Sequence, residues 1–134
     1  MPFAGKLVSE FNINVAAEKF YKTFKDGCMH LPTISPKFIK QVEVHEDGKA
    51  EVLKEQVEFD DEKLMVKKIG LEGDALDHYK TIKFVYQVVP KSRKHSLLIL
   101  TVEYEKLDDD SPHPYKYIDI MIGMTKDMES HMNY

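Results

Sequence analysis

The last third of the chain constrains the fold most, because its apolar period switches there from that of a strand to that of a helix. Ile82, Phe84, Tyr86 and Val88 alternate with other residues, and so do Leu98, Leu100, Val102 and Tyr104 after the basic turn Lys91-Ser92-Arg93-Lys94. After the acidic turn Asp108-Asp109-Asp110, Ser111-Pro112 reads as a helix start: Pro fits a first turn, and a Ser oxygen can take up a free N–H. Ile118, Met121, Ile122, Thr125, Met128 and Met132 then recur at three- and four-residue spacing. Tyr117 and Met124 border that face, and Lys116, Asp119, Lys126, Asp127 and Ser130 fall opposite. Met is flexible and polarisable, so a Met-lined face tolerates variable neighbours. Such a helix suits a lid over an adaptable apolar pocket, or a core helix that uses Met as filler.

Upstream, Leu7, Ser9, Phe11, Ile13 and Val15 mark a half-buried strand. Ala17, Phe20, Tyr21 and Phe24 follow at helical spacing, on a short helix expected to end near Asp26-Gly27. Pro32 and Pro36 restrict their neighbours and leave room for at most a second short helix or turn. Strands are expected within Phe38–Glu46 and over Ala50–Phe59, with the hairpin signal Asp47-Gly48 between them. Leu53, Val57 and Phe59 form the apolar side of the second. After the polar turn Asp60-Asp61-Glu62-Lys63, Leu64 to Leu71 resumes the sheet, and a loop runs from Gly73-Asp74 to His78. One strand, two short helices, a run of antiparallel strands and a long helix make an α+β chain. At 134 residues it is expected to be a single domain over 1–134.

Hydrophobic residues make up 43% and charged residues 31%, ordinary for a globular protein and unlike a disordered one. The net charge of −4 argues against nucleic acid as a partner. The start of the chain has no long apolar stretch of the signal-peptide kind, and no run approaches the ~18 apolar residues of a spanning helix. These features predict a cytoplasmic protein without membrane insertion.

The six histidines (His30, His45, His78, His95, His113, His131) form no pair at helical metal-ligand spacing and none neighbours a Cys in such spacing, so no metal is expected. Cys28 is the single cysteine, so an internal disulfide is impossible, and no orienting motif makes it a nucleophile. Glu103 and Glu105 alternate with Tyr104 and are expected to face solvent. Tyr86 and Tyr104 face inward, where a hydroxyl can orient a ligand or bond to a neighbour. His78, Tyr79 and Lys80 lie at a strand start, in a solvated loop or at a pocket mouth.

Several short stretches, in order along nearly the whole chain, carry a resemblance. They are Gly5-Lys6-Leu7, His30-Leu31-Pro32, Val42-Glu43-Val44-His45-Glu46, Asp47-Gly48-Lys49-Ala50-Glu51-Val52 and Glu72-Gly73-Asp74 with Tyr79-Lys80. Val102-Glu103-Tyr104-Glu105-Lys106-Leu107 follows, then Asp110-Ser111-Pro112 and Thr125-Lys126-Asp127. With them the chain resembles the plant major latex protein and Bet v 1-type (pathogenesis-related class 10) family. The resemblance implies a helix-grip, START-like fold: a curved antiparallel sheet around a long C-terminal helix, two short helices closing one end, and an apolar cavity between sheet and helix. It implies binding of a lipophilic small molecule such as a fatty acid, steroid or phenolic, with no cofactor, in defence or stress response. The alternative it implies is a non-metal pocket enzyme of alkaloid metabolism, an isomerase or cyclising synthase. That reading needs a titratable group in the cavity, and among mostly apolar inward positions only Tyr86 and Tyr104 offer one.

The chain departs from the family pattern in one place. A Gly-rich loop and a further strand, often with a Trp, stand between the Val-His-Glu and Asp-Gly-Lys-Ala segments of similar proteins. Here Glu46 abuts Asp47, and the chain has no Trp. A natural or spliced short form, an engineered deletion, or a stretch missing from the sequence as read would each leave this trace. A real deletion predicts about six strands, Asp47-Gly48 joining strands normally kept apart, and either a monomer or a dimer paired along a new edge. Without that loop, phosphate-binding nuclease chemistry is set aside. The residues expected to contact ligand are Phe11, Phe84, Tyr86, Leu100, Tyr104, Met121, Thr125 and Met128; none is expected to be catalytic.

Overall fold

The computed structural model describes residues 3–29, 33–35, 38–44 and 50–132, the side chains of 28–53 excepted. The elements are β1 (Ala4–Ile13), α1 (Ala17–Met29), β2 (Thr33–Ser35), β3 (Phe38–Val44), β4 (Ala50–Asp60), β5 (Met65–Gly73), β6 (Tyr79–Ser92), β7 (His95–Lys106) and α2 (Tyr115–Met132). One 3-10 turn, Asp74–Asp77, leads into β6 where a loop was expected. No described helix is long and apolar enough to cross a membrane.

The strands form one antiparallel sheet in the order β1-β7-β6-β5-β4-β3-β2. Its alternation is the alternation of the sequence. Gly5, Leu7, Ser9, Phe11 and Ile13 of β1 lie opposite Tyr104, Val102, Leu100, Leu98 and Ser96 of β7. The same β7 residues lie opposite Ile82, Phe84, Tyr86, Val88 and Pro90 of β6. This inner face is buried from Ile82 to Tyr104. The other face is polar: Glu103 pairs with Lys83 at 3.3 Å and Lys6 at 3.7 Å, outward as expected. Such exposed pairs contribute little to stability.

Both helices pack on the inner face, α1 against β6 and β7, and α2 against β1 and β7. Phe20, Tyr21 and Phe24 are the buried side of α1, with Glu18 in its first turn favouring the helix dipole. On α2 the buried residues are Tyr117, Ile118, Met121 and Thr125, with Ile122, Met124, Met128 and Met132 half-buried against the same core.

Four boundaries differ from expectation. Among the described residues the sheet has seven strands, not about six, and the stretch expected to hold a second short helix contains β2. The reason is local: Ser35 precedes Pro36, which disfavours a helical backbone, and Thr33 and Ile34 are β-branched. Helix α1 continues past Asp26-Gly27 to Met29. Helix α2 starts at Tyr115, because Asp108 Oδ1 gathers the N–H groups of Asp110 and Ser111 into a separate turn. The fully buried Pro114, which has no N–H to leave unsatisfied, then stands at the helix start. Asp47-Gly48 lies outside the described residues, but the pairing it was expected to close is present, with Val44 opposite Ala50.

The turn between β4 and β5 is tied to α1. The Tyr21 hydroxyl donates to Asp61, and Lys25 Nζ lies 2.9 Å from the same carboxylate. The Tyr21 hydrogen bond first, and Lys25 with it, hold the Asp61 carboxyl below its ordinary value of 3.8. Burial, then the Asp61 hydrogen bond and charge, push the Tyr21 phenol well above its ordinary range. A depressed carboxylate stabilises the fold above its unfolded value and loses that contribution as acid protonates it in the folded state. Stability should therefore fall from about pH 4 downward, and Asp61→Asn should flatten that limb. Urea midpoints at pH 2–5 check this; a variant whose midpoint falls as steeply as the wild type's would contradict it.

Candidate functional site

Of the eight residues expected to contact ligand, all sit on the inner face of the sheet or the sheet-facing side of α2. Phe84, Tyr86, Leu100, Tyr104, Met121 and Thr125 are buried; Phe11 and Met128 are half-buried against them. They do not offer equal access. Leu100 and Thr125 keep 0% exposure, so no water-sized space touches them, whereas Phe84 and Tyr86 keep 6% and 5%. The Thr125 hydroxyl donates within the helix, to the carbonyls of Met121 at 2.8 Å and Ile122 at 3.1 Å.

Helix α2 is fastened at both ends. At its start, the Tyr79 hydroxyl donates to the Pro112 carbonyl at 2.6 Å, and the Tyr104 hydroxyl lies 3.0 Å from His113 Nδ1. Tyr79, placed by sequence in a solvated loop or pocket mouth, is instead 1% exposed, while His78 and Lys80 are exposed. Gly5 is required beside this contact, because a Cβ there would stand 2.5 Å from the Tyr104 hydroxyl. At the far end, Glu129 accepts from the Asn14 N–H, and Lys19 Nζ donates to the Met132 carbonyl.

Between α1 and β4–β6 lies a group that the sequence pattern missed. Lys68 on β5 is 2% exposed and faces inward, opposite Val57 of β4 and Phe84 of β6. Its Nζ lies 5.3 Å from the Phe24 ring and 5.4 Å from the Tyr86 ring. Those two rings are themselves in contact, with centroids 4.6 Å apart. Each such cation–π contact contributes roughly 0.5–2 kcal/mol, more where water is excluded. Among the described residues the ammonium forms no hydrogen bond and no ion pair. Glu55 on β4 is 1% exposed and inward, two residues along from the Lys68 position. It has an interaction partner of its own. A register shift in the β4–β5 ladder, which leaves Leu71 unpaired between Gly70 and Glu72, keeps Glu55 on the inner face and turns Leu71 out.

The expectation that only Tyr86 and Tyr104 could titrate inside is therefore corrected: Lys68 and Glu55 are buried there too. The signal was present. Glu55 occupies the same strand parity as Val57 and Phe59, and Lys68 the same parity as Val66, so each charge interrupts an apolar row. The described residues contain no cluster of His, Cys, Asp or Glu suited to a metal. His30 and His45 lie outside the described residues, as does the side chain of Cys28.

Comparison with known proteins agrees with this architecture. The profile of the pathogenesis-related protein Bet v 1 family matches residues 3–134. MLP-like protein 329 of Arabidopsis thaliana is 31% identical over 98% of each chain. That alignment runs over 148 positions, more than the 134 residues available here, so the relative carries residues that this chain lacks. Ginseng major latex-like protein 151 of Panax ginseng superposes with a TM-score of 0.79 at 27% identity, covering 96% of this chain and 97% of that one. A norcoclaurine synthase of Thalictrum flavum shares the fold, with a TM-score of 0.70 at 15% identity over 100% of this chain and 99% of that one. With the sheet order, the C-terminal helix and these matches together, the chain belongs to the Bet v 1 family, among the plant major latex-like proteins.

Proposed function

We propose that this protein binds or carries a lipophilic small molecule, of the fatty acid, steroid or phenolic type, between the sheet and its two helices. The observation that supports this most is the lining. Phe84 and Tyr86 on the sheet face Phe24 on α1 and Tyr117 on α2, with Met121, Met124 and Met128 along the same helix. Aromatic walls and flexible Met side chains accommodate apolar guests of varied shape with few directional contacts. Binding energy would come from buried apolar area, and no covalent step is needed.

The test is a titration with a polarity-sensitive fluorescent dye, followed by displacement with a fatty acid or a sterol. The expected result is saturable binding at about one site per chain, reversed by competitor. A folded protein that takes up no dye and no competitor would sink the reading.

A second reading, a pocket enzyme, gains support from Lys68 and Glu55. Buried titratable groups in an apolar cleft are what acid–base chemistry requires. It ranks second because Lys68 has no hydrogen-bonded partner among the described residues to exchange a proton with.

A further inference from the structure

We infer that Lys68 is the anchor for an anionic head group, so that the preferred ligand is an amphiphile carrying a single negative charge, such as a carboxylate, on an apolar body. This deepens the carrier reading and rests on it.

The argument starts from the cost of burying charge. An ammonium taken out of water is held at a large penalty unless an anion or several acceptors meet it. Lys68 is 2% exposed, and among the described residues it has neither. Its position is not an accident of a flexible surface chain. It sits in the interior of β5, paired on both sides, with Val57 and Phe84 flanking it. Phe24 and Tyr86 hold the ammonium at 5.3 and 5.4 Å from their centroids. The quadrupoles of two rings offset part of the desolvation, and among the described residues the N–H donors have no acceptor. A cation held over two touching rings, with donors unspent among the described residues, is complementary to an incoming anion.

The neighbours define the rest of the ligand. Next to the cation lie Phe24, Phe84 and Tyr86, and beyond Phe84 the ring of Tyr117 at 5.7 Å leads to the Met face of α2. An alkyl or ring body fits there by apolar burial. Glu55, inward on the adjacent strand and diagonal to Lys68, lies at the roughly 7–8 Å spacing of such positions. A second negative charge on the head group would meet it at short range in a poorly screened site. The site therefore suits a monoanion better than a dianion.

The test compares two ligands with the same chain, decanoate and 1-decanol, titrated calorimetrically into wild type and into Lys68→Met. Met keeps the apolar stem and removes the charge. The wild type should bind decanoate about 30-fold more tightly than the alcohol, about 2 kcal/mol at 1.4 kcal/mol per factor of ten. Lys68→Met should lose that preference while its affinity for decanol stays within about threefold of wild type. Lys68→Arg should retain it. The inference is overturned if the wild type binds the alcohol as tightly as the acid, or if Lys68→Met keeps the preference. The wild-type comparison stands even if a variant fails to fold. Decanol bound without any preference for decanoate would remove the anchor and leave the carrier reading standing. Neither ligand bound would remove both.

Discussion

Replacing Phe20 with Ala should lower the stability of the fold by about 3–5 kcal/mol, the usual cost of deleting a buried aromatic ring. Phe20 is 1% exposed in the middle of α1, the helix that packs on β6 and β7. The strands on which α1 packs, β6 and β7, are pinned by hydrogen-bonded ladders on both sides, so the space left by the ring cannot easily collapse. A second effect follows from its stacking on Phe24, with centroids 6.4 Å apart. Phe24 is one of the two rings against Lys68, so the aromatic frame loses its backing when Phe20 is removed. Urea unfolding should show a lower midpoint with an unchanged slope, and decanoate affinity should fall with it. A stability loss below about 1 kcal/mol would mean that α1 is not anchored by this ring.

Leu100→Ala should cost about 2–5 kcal/mol and leave ligand affinity within about threefold of wild type. Leu100 lies at the centre of the sheet, between Ser9 of β1 and Tyr86 of β6, with 0% exposure. Sequence alone places it among the ligand contacts, because parity cannot distinguish a residue that walls a cavity from one that fills the core. A stability loss without an affinity loss would assign it to the core. A tenfold drop in decanoate affinity from a variant that remains folded would restore it to the site. The pair of variants thus separates the fully buried packing at the centre of the sheet from the aromatic frame around Lys68, where Phe84 and Tyr86 keep slight exposure.

What the sequence made legible follows from strong periodicity. The strands β6 and β7 and the helix α2 carry long, regular apolar rows, and tertiary packing agrees with local preference at almost every position. The boundary errors arose where a single residue decides. Pro36 turned a supposed helix into β2, and Asp108 delayed α2 to Pro114. The site was harder to read because its key residues break the pattern that revealed the fold. Glu55 and Lys68 stand on apolar rows of two different strands, and each looks like a tolerated lapse until pairing brings both to one face. The spacing of Phe24 places it on a helix face, but its contact with Lys68 joins residues from α1 and β5 that no local pattern connects.

The pairing of β1 with β7 has a consequence for how the protein is made. Leu7 lies opposite Val102, so β1 is completed by a strand that is synthesised much later. At roughly 5–20 residues per second, β1 waits on the order of 5–20 s for its partner. The closure of so long a loop must be met before any ladder hydrogen bond rewards it. During that interval Leu7, Phe11 and Ile13 lack the β7 partners that cover them, and exposed apolar surface of this kind makes a growing chain prone to aggregate.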